Sequence, residues 1–277
     1  MTSVLSDPAY GIGLPAGAPA WQARMARFTD GPAHAGRRAA VVALVERWAP
    51  DALAAAARAR TGALLAGTAG AVADGMALAR RVPVTVLAAT LGVAEDRLDE
   101  VVDLTATLVA AAARGEPDDA GNAAAAVLGG LLADDGDAAT ATAALSVLFQ
   151  THDATAALVG NGLVAWGDRD VPDDPAALVD HVLRHDPPVL STRRVAAGDP
   201  VVVDLAGPGL PFGAGPHACP GRDAAVALAT GVLAGIAAAG WAPRGGADAY
   251  DPRPNLRLPT RVELVRVSPG GAPPRRR

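Results

Sequence analysis

Phe212-Gly-Ala-Gly-Pro-His-Ala-Cys-Pro-Gly221 places the one cysteine of a 277-residue chain between glycines, with a proline directly after it. A thiolate persists as a metal ligand only where positive potential and backbone N–H donors lower its pKa, and the start of a helix supplies both. Pro220 has the fixed φ suited to a first helical residue, and Arg222-Asp-Ala-Ala-Val-Ala-Leu-Ala-Thr230 continues in helix formers. Gly213, Gly215 and Gly221 let the backbone turn tightly and approach a flat ligand. The bland alternative is an inert buried thiol in a Gly/Pro loop.

Around this loop the composition is that of a soluble, Ala-rich globular protein, with 51% hydrophobic residues and few aromatics. All 24 basic Lys+Arg positions are arginine, a bias from which no function follows. A net charge of −5 without a basic stripe argues against nucleic acid as a partner, because phosphate binding needs concentrated positive charge. One cysteine excludes an intrachain disulfide framework. The start, Met1-Thr-Ser-Val-Leu-Ser-Asp-Pro8, lacks a basic and an apolar leader region, which predicts a cytoplasmic protein. The stretch 224–242 is apolar apart from Thr230 and about long enough to cross a bilayer. Being mostly Ala and Gly, it reads as a buried helix beneath a cofactor, with no membrane involved.

Apolar periodicity and breakers predict helices over about 36–48, 51–66, 72–80, 84–91, 95–113, 121–132, 138–166 and 175–185. The breaks fall at Pro50, Gly67, Pro83, Gly115 and a turn over 168–172. Strand character is confined to 200–205 and 260–267, with 191–196 a third candidate. The Pro/Gly-rich piece 11–19 reads as a surface loop.

The cysteine loop resembles that of the cytochrome P-450 family, F-x-x-G-x-H-x-C-x-G, matched here by Phe212, Gly215, His217, Cys219 and Gly221. The resemblance implies a reduced cytochrome P-450-like fold, mainly α with a small residual β appendage, as a single haem-binding domain over residues 1–277. It implies haem b as cofactor, with Cys219 as the proximal iron ligand, His217 reaching a propionate and Phe212 packing on the sulfur's side of the ring. Further segments align in the family's order. Pro32-Ala-His-Ala-Gly-Arg-Arg38 resembles H-x-x-x-R, which puts His34 and Arg38 on one helical face near the propionates. In Ser191-Thr-Arg-Arg194 the resemblance assigns another propionate contact to Arg194, with Arg193 as the fallback.

Two matches carry departures. Asp180-His-Val-Leu-Arg184 stands where the family has E-x-x-R; His181 replaces the glutamate, so the salt bridge that locks the cysteine loop is expected to be weaker or rebuilt with Asp180. Phe149 to Leu163 resembles the distal helix, its register fixed by Leu158-Val-Gly-Asn-Gly-Leu163. There Asp153 matches the acid and Thr155 the second threonine, while Thr151 replaces a glycine and Ala154 the threonine that in the family helps deliver protons. A substrate group, Thr151 or Thr155 could complete the relay, or dioxygen is not reduced in the usual way. His152 reads as structural, and Gln150 as a substrate contact.

The resemblance also implies that the family's first helix, early strands and the meander before the cysteine loop are missing, and that the lid helices within 91–145 are short. The pocket is then open or covered by a partner protein. Residues 268–277 read as a disordered tail. The leading functional reading is a haem-thiolate monooxygenase acting on a small or carrier-bound molecule, served by an external ferredoxin and reductase. Peroxide-dependent or redox-neutral haem chemistry, and a catalytically inactive relative acting as an activator, are the alternatives.

Overall fold

The computed structural model describes residues 2–14, 17–115, 118–133, 138–166 and 174–267, with the backbone alone at residues 2 and 3. Among them the helices are α1 (Thr2–Ser6), α2 (Gly31–Val45), α3 (Pro50–Ala66), α4 (Gly75–Thr90), α5 (Leu98–Arg114), α6 (Asp119–Leu132), α7 (Ala138–Ala165), α8 (Pro175–His185) and α9 (Arg222–Ala238). The strands are β1 (Tyr10–Gly11), β2 (Val72–Asp74), β3 (Ser191–Ala196), β4 (Asp199–Asp204), β5 (Trp241–Pro243) and β6 (Glu263–Arg266). They form two antiparallel three-stranded sheets, in the orders β1-β3-β4 and β2-β6-β5.

Local chemistry sets many of the boundaries. Pro50 opens α3 at a position where a missing N–H costs nothing. Asp74, Asp118 and Asp174 cap α4, α6 and α8 by accepting N–H bonds from Met76, Ala120 and Ala177, each at 2.9 Å. Gly115 closes α5 at φ 69°.

Helix α7 spans 28 residues and is packed on several sides, against α2, α4, α5, α6, α8 and α9. Its register against α9 rests on small residues, and the α3–α9 pair is tighter still. A Cβ on Gly231 would meet the Ala54 carbonyl oxygen at 2.3 Å and the Ala57 Cβ at 2.8 Å. One on Gly235 would meet the Thr61 Cβ at 2.6 Å and the Arg58 carbonyl oxygen at 2.7 Å. These glycines let the two backbones touch, which explains the composition of the apolar stretch singled out in the sequence. The segment Gly215–Ala238 is long and apolar enough to cross a membrane by length and composition, and half of its most apolar window is buried inside the protein.

Several expectations need correction. Residues 72–80 and 84–91 are not two helices: Val72–Asp74 is a strand, and α4 runs unbroken through Pro83. An interior proline costs about 3 kcal/mol. Met76, Leu78, Val82, Val84, Val86 and Leu87 are all buried in α4, at about 1.5–3 kcal/mol each, so packing outweighs the lost bond. A two-residue strand that the sequence did not suggest, β1, pairs with β3, with Tyr10 opposite Ala196. Pro220 is not the first helical residue; α9 begins at Arg222, with Gly221 as its N-cap. The apolar stretch does not stay helical to residue 242, since it ends at Ala238 and Trp241–Pro243 becomes β5. The strand expected over 260–267 is limited to β6. The turn over 168–172 and the tail 268–277 lie outside the described residues.

Candidate haem-thiolate site

The cysteine loop is built by a short return from β4. The Leu205 and Ala206 N–H groups both donate to the Leu190 carbonyl, at 2.9 and 3.2 Å, and Leu210 N–H donates back to Leu205 at 2.8 Å. The loop then closes on itself, with Cys219 N–H donating to the Phe212 carbonyl at 2.8 Å. Gly213 and Gly215 have φ of 69° and 68°, the left-handed region that glycine enters without strain. A Cβ on Gly215 would strike the Leu5 carbonyl oxygen at 2.5 Å and Ser6 Oγ at 2.7 Å, so α1 lies directly under the loop. Leu5 is buried there against Val203 and Leu205, with Leu210 and Ala214 packed alongside. Gly221 has neither constraint: its φ is −94° and a Cβ would meet nothing within 4 Å. Its contribution is its N–H, which faces the sulfur.

Cys219 is open to solvent, yet surrounding protein pushes its thiol pKa up by desolvation, opposed by the Gly221 N–H, Arg27 and Arg38. Arg27 behaves in the same way, exposed to water but desolvated enough to lower its pKa. Both side chains therefore line a recess rather than the outer surface. Two cavities of about 370 and 340 Å³ lie elsewhere, and neither has Cys219 in its wall.

Basic side chains gather around the sulfur. Arg38 Nη1 donates to the Ala218 carbonyl at 2.8 Å, pinning α2 to the loop. The His34 and His217 rings face each other with centroids 4.0 Å apart. His217 Nε2 bonds Asp30 Oδ1 at 3.2 Å, and desolvation, assisted by His34, pushes the His217 pKa down to about 4. His34 is lowered too, by burial and then by Arg38. Arg194 is only 4% exposed and donates from Nη1 to Thr192 Oγ1 at 3.2 Å and the Arg193 carbonyl at 3.1 Å. Burial lowers its pKa, and Arg27 adds to the effect. No salt bridge reaches Arg27, Arg38 or Arg194 among the described residues. Phe212 lies under the Arg222 guanidinium, 5.4 Å from ring centroid to Cζ.

A buried guanidinium without a carboxylate costs several kcal/mol, so this set is complementary to a ligand bearing more than one negative charge. Asp30 is the one acid drawn into it, and its other oxygen accepts from Ile12 N–H at 2.5 Å. The donor set and the sulfur fit the acid rim and iron of a haem group.

The expected distal residues on α7 are arranged differently. Asp153 Oδ2 pairs with Arg253 Nη1 at 2.6 Å, and its Oδ1 bonds His152 Nδ1 at 2.8 Å. Desolvation opposes ionisation of Asp153, but His152 and Arg253 together hold its pKa below the usual carboxylate value. Arg253 is shared with Asp251. Gln150 Nε2 donates to Ser146 Oγ at 3.3 Å, and Ser146 lines the 340 Å³ cavity with Met25, Arg37, Val41 and Ala143. Thr155 is 3% exposed and Thr151 half-buried. None of these four side chains bonds the cysteine loop among the described residues.

The E-x-x-R-like segment does not form a buried lock. Arg184 pairs with Asp180, one turn away, and both side chains are about 60% exposed. His181 stacks on His185 at 4.7 Å. The neighbouring tie is made instead by Arg257, which pairs with Asp186, while its N–H donates to Pro188 at 2.7 Å and its carbonyl accepts from Asn161 at 2.8 Å.

Sequence reasoning missed Arg27, Asp30 and Arg253. Arg27 and Arg253 carry no local signal, since each is one arginine among 24. Asp30 looks like an ordinary N-cap before α2, yet its side chain makes no cap bond and serves the cysteine loop instead.

No protein-family model and no curated protein matches the chain. Solved structures do. CalO2 superposes with a TM-score of 0.77 at 20% identity, covering 98% of this chain and 89% of that one. P450BioI, solved with an acyl carrier protein ligated to hexadec-9Z-enoic acid, gives 0.73 at 16% identity, covering 96% and 90%. The bacillaene polyketide synthase cytochrome P450 PksS of Bacillus subtilis 168 gives 0.73 at 14%, covering 96% and 88%. Taken with the helical core and the two small sheets, these superpositions show that the chain has the cytochrome P450 fold.

Proposed function

We propose that this protein is a haem-thiolate oxidoreductase that oxidises a small or carrier-bound molecule in a bacterial biosynthetic pathway. The observation that carries this reading is Arg194, a buried cation with no salt bridge among the described residues and only the more distant Asp30 attracting it, together with Arg27, Arg38 and the open sulfur of Cys219. The geometry supports a cofactor held by Cys219 through sulfur and by Arg38, Arg194, His34 and His217 along its acid edge, with Arg27 as a further cation. When bound, haem with a thiolate ligand supplies the electron-transfer and oxidising chemistry. Gly221 N–H and the nearby arginines favour the anionic sulfur that ligation requires.

The chain's own residues then determine substrate and proton traffic. Gln150, whose Nε2 donates to Ser146 Oγ, is the proposed substrate contact. Asp153 is ionised and held by Arg253 and His152, so it carries no proton at neutral pH. Ala154 has no hydroxyl. Proton delivery rests on Thr151, Thr155 or a group of the substrate. Electrons come from a separate ferredoxin and reductase, and a carrier-bound substrate is consistent with the acyl carrier protein in the P450BioI structure.

The test is the visible spectrum of purified protein loaded with haem, reduced under carbon monoxide. A red-shifted Soret band that is absent in Cys219→Ala supports the reading; a featureless spectrum after reconstitution overturns it. The clamped Asp153 also favours a second reading, peroxide-dependent or redox-neutral haem chemistry. Anaerobic turnover without reductant separates the two, and Ala154→Thr should change the coupling of reductant to product only under the first.

A further inference from the structure

At the far end of α9 from the cysteine loop lies a concavity of about 370 Å³ that takes no part in the chemistry above. Helix α9 spans 17 residues, about 25 Å, so the two regions are well separated. The concavity arises where α3 and α9 leave their close contact at Gly231 and Gly235. Beyond that contact its walls are Ala59, Gly62, Ala66, Ala238 and Ala239, side chains too small to fill the gap. A Cβ on Gly62 would meet nothing within 4 Å.

Two arginines bound it. Arg266 lies over the Trp241 ring at 4.7 Å and donates from Nη2 to the Thr68 carbonyl at 3.1 Å, which fixes the guanidinium at the rim. Arg58 faces it from α3 with no ion pair among the described residues. The lining contains no acid, in a chain whose net charge is −5. Two guanidiniums over a floor of Leu65, alanines and Trp241 match a compact organic anion with an apolar body.

We infer that the α3–α9 concavity binds a small carboxylate or phosphate ester, its charge between Arg58 and Arg266 and its apolar body on the small-residue floor. The site is independent of haem binding. It selects for negative charge first, since an uncharged analogue leaves both arginines with water alone, and for size second.

The experiment is calorimetric titration of the full chain with benzoate, phenyl phosphate and benzyl alcohol, on wild type, Arg58→Gln and Gly62→Phe. Thermal unfolding checks that each variant is folded; Gly62→Phe projects into open space, so it fills the concavity without disturbing the α3–α9 contact. Saturable binding of at least one anion, weakened about tenfold in Arg58→Gln and abolished in Gly62→Phe, supports the site. Preference between benzoate and phenyl phosphate identifies the headgroup. Absence of saturable anion binding, equal binding of benzyl alcohol, or binding unchanged in both variants overturns it. Haem uptake, followed separately by the Soret band, should be the same in all three proteins, so failure here and failure of the haem reading are told apart.

Discussion

His34 of α2 and His217 of the cysteine loop stack at 4.0 Å, and Asp30 holds the outer edge of the second ring. Both imidazoles are depressed, His217 to about 4, because burial and neighbouring cations penalise their charged forms. A histidine whose folded pKa lies below its unfolded value takes up protons on unfolding. Apoprotein stability should therefore be full above pH 6.5 and fall as pH drops toward 4, by up to about 1.4 kcal/mol per unit from this residue. His217→Phe should flatten that slope in denaturation curves measured from pH 7 to 4.

Asp153 and Arg253 make a second pH-linked pair with the same sign, in which the fold favours the charged form. The carboxyl pKa is depressed in the folded protein, so its stabilisation is present above the unfolded value and lost as pH falls through the folded one. Arg253→Met should cost about 1–2 kcal/mol at pH 7 and nothing at a pH low enough to protonate Asp153. Chemical denaturation at the two pH values checks this.

Arg27 faces Cys219 from a 3₁₀ turn, Ala26–Phe28, with its guanidinium 5.9 Å from the Phe28 ring. Arg27→Met removes a positive charge from beside the sulfur. Haem affinity should fall roughly tenfold, equivalent to about 1.4 kcal/mol. The reduction potential of reconstituted protein should also move to more negative values, which spectroelectrochemistry reads directly. Arg27→Lys should restore part of both.

Gly231 and Gly235 set the distance between α3 and α9. Gly231→Val should force the helices apart and cost about 1–3 kcal/mol. By contrast Gly129, inside α6 with open space at its Cβ position, should gain about 0.5–1 kcal/mol as alanine. Thermal unfolding of both variants tests whether steric contact, rather than glycine content, is what matters.

The exposed pair Arg184–Asp180 should contribute little. Arg184→Ala is expected to change stability by less than about 1 kcal/mol, as surface ion pairs generally do. Arg257→Ala should cost more, because it frees Asp186, whose carboxyl is already pushed up by burial. Equal losses from the two substitutions would mean that the expected lock survives at Arg184.

Much of the fold was legible because its signals are local. α8 and β3 match the sequence reading residue for residue, and α3, α6 and α7 match to within one or two positions. Proline at a helix start, aspartate caps and apolar periodicity act within a few residues of where they are read. The errors arose where distant packing overrode local preference. Pro83 alone predicts a break, but the buried valines and leucines around it keep α4 continuous. β1, β2 and β5 are two or three residues long and gain stability only through their partners on β3 and β6.

The candidate site divides in the same way. Fixed spacing in the sequence marked Cys219, His217, His34, Arg38 and Arg194 as candidates, because residues one helical turn apart, or within one loop or strand, leave short motifs. Those residues converge in the structure: Arg38 reaches Ala218 across 180 positions of chain, and His34 meets His217. The partner of Asp153 left no motif, since Arg253 lies 100 residues away on an irregular segment. Arg27 could be any surface arginine until the fold brings it beside Cys219. Sequence by itself determined which side chains are candidates for the chemistry and where most of the helices lie, since both depend on neighbours along the chain. Tertiary structure alone decided which charges are paired and which are buried without a salt bridge, because electrostatic energy depends on distance through space and on the solvent excluded between groups.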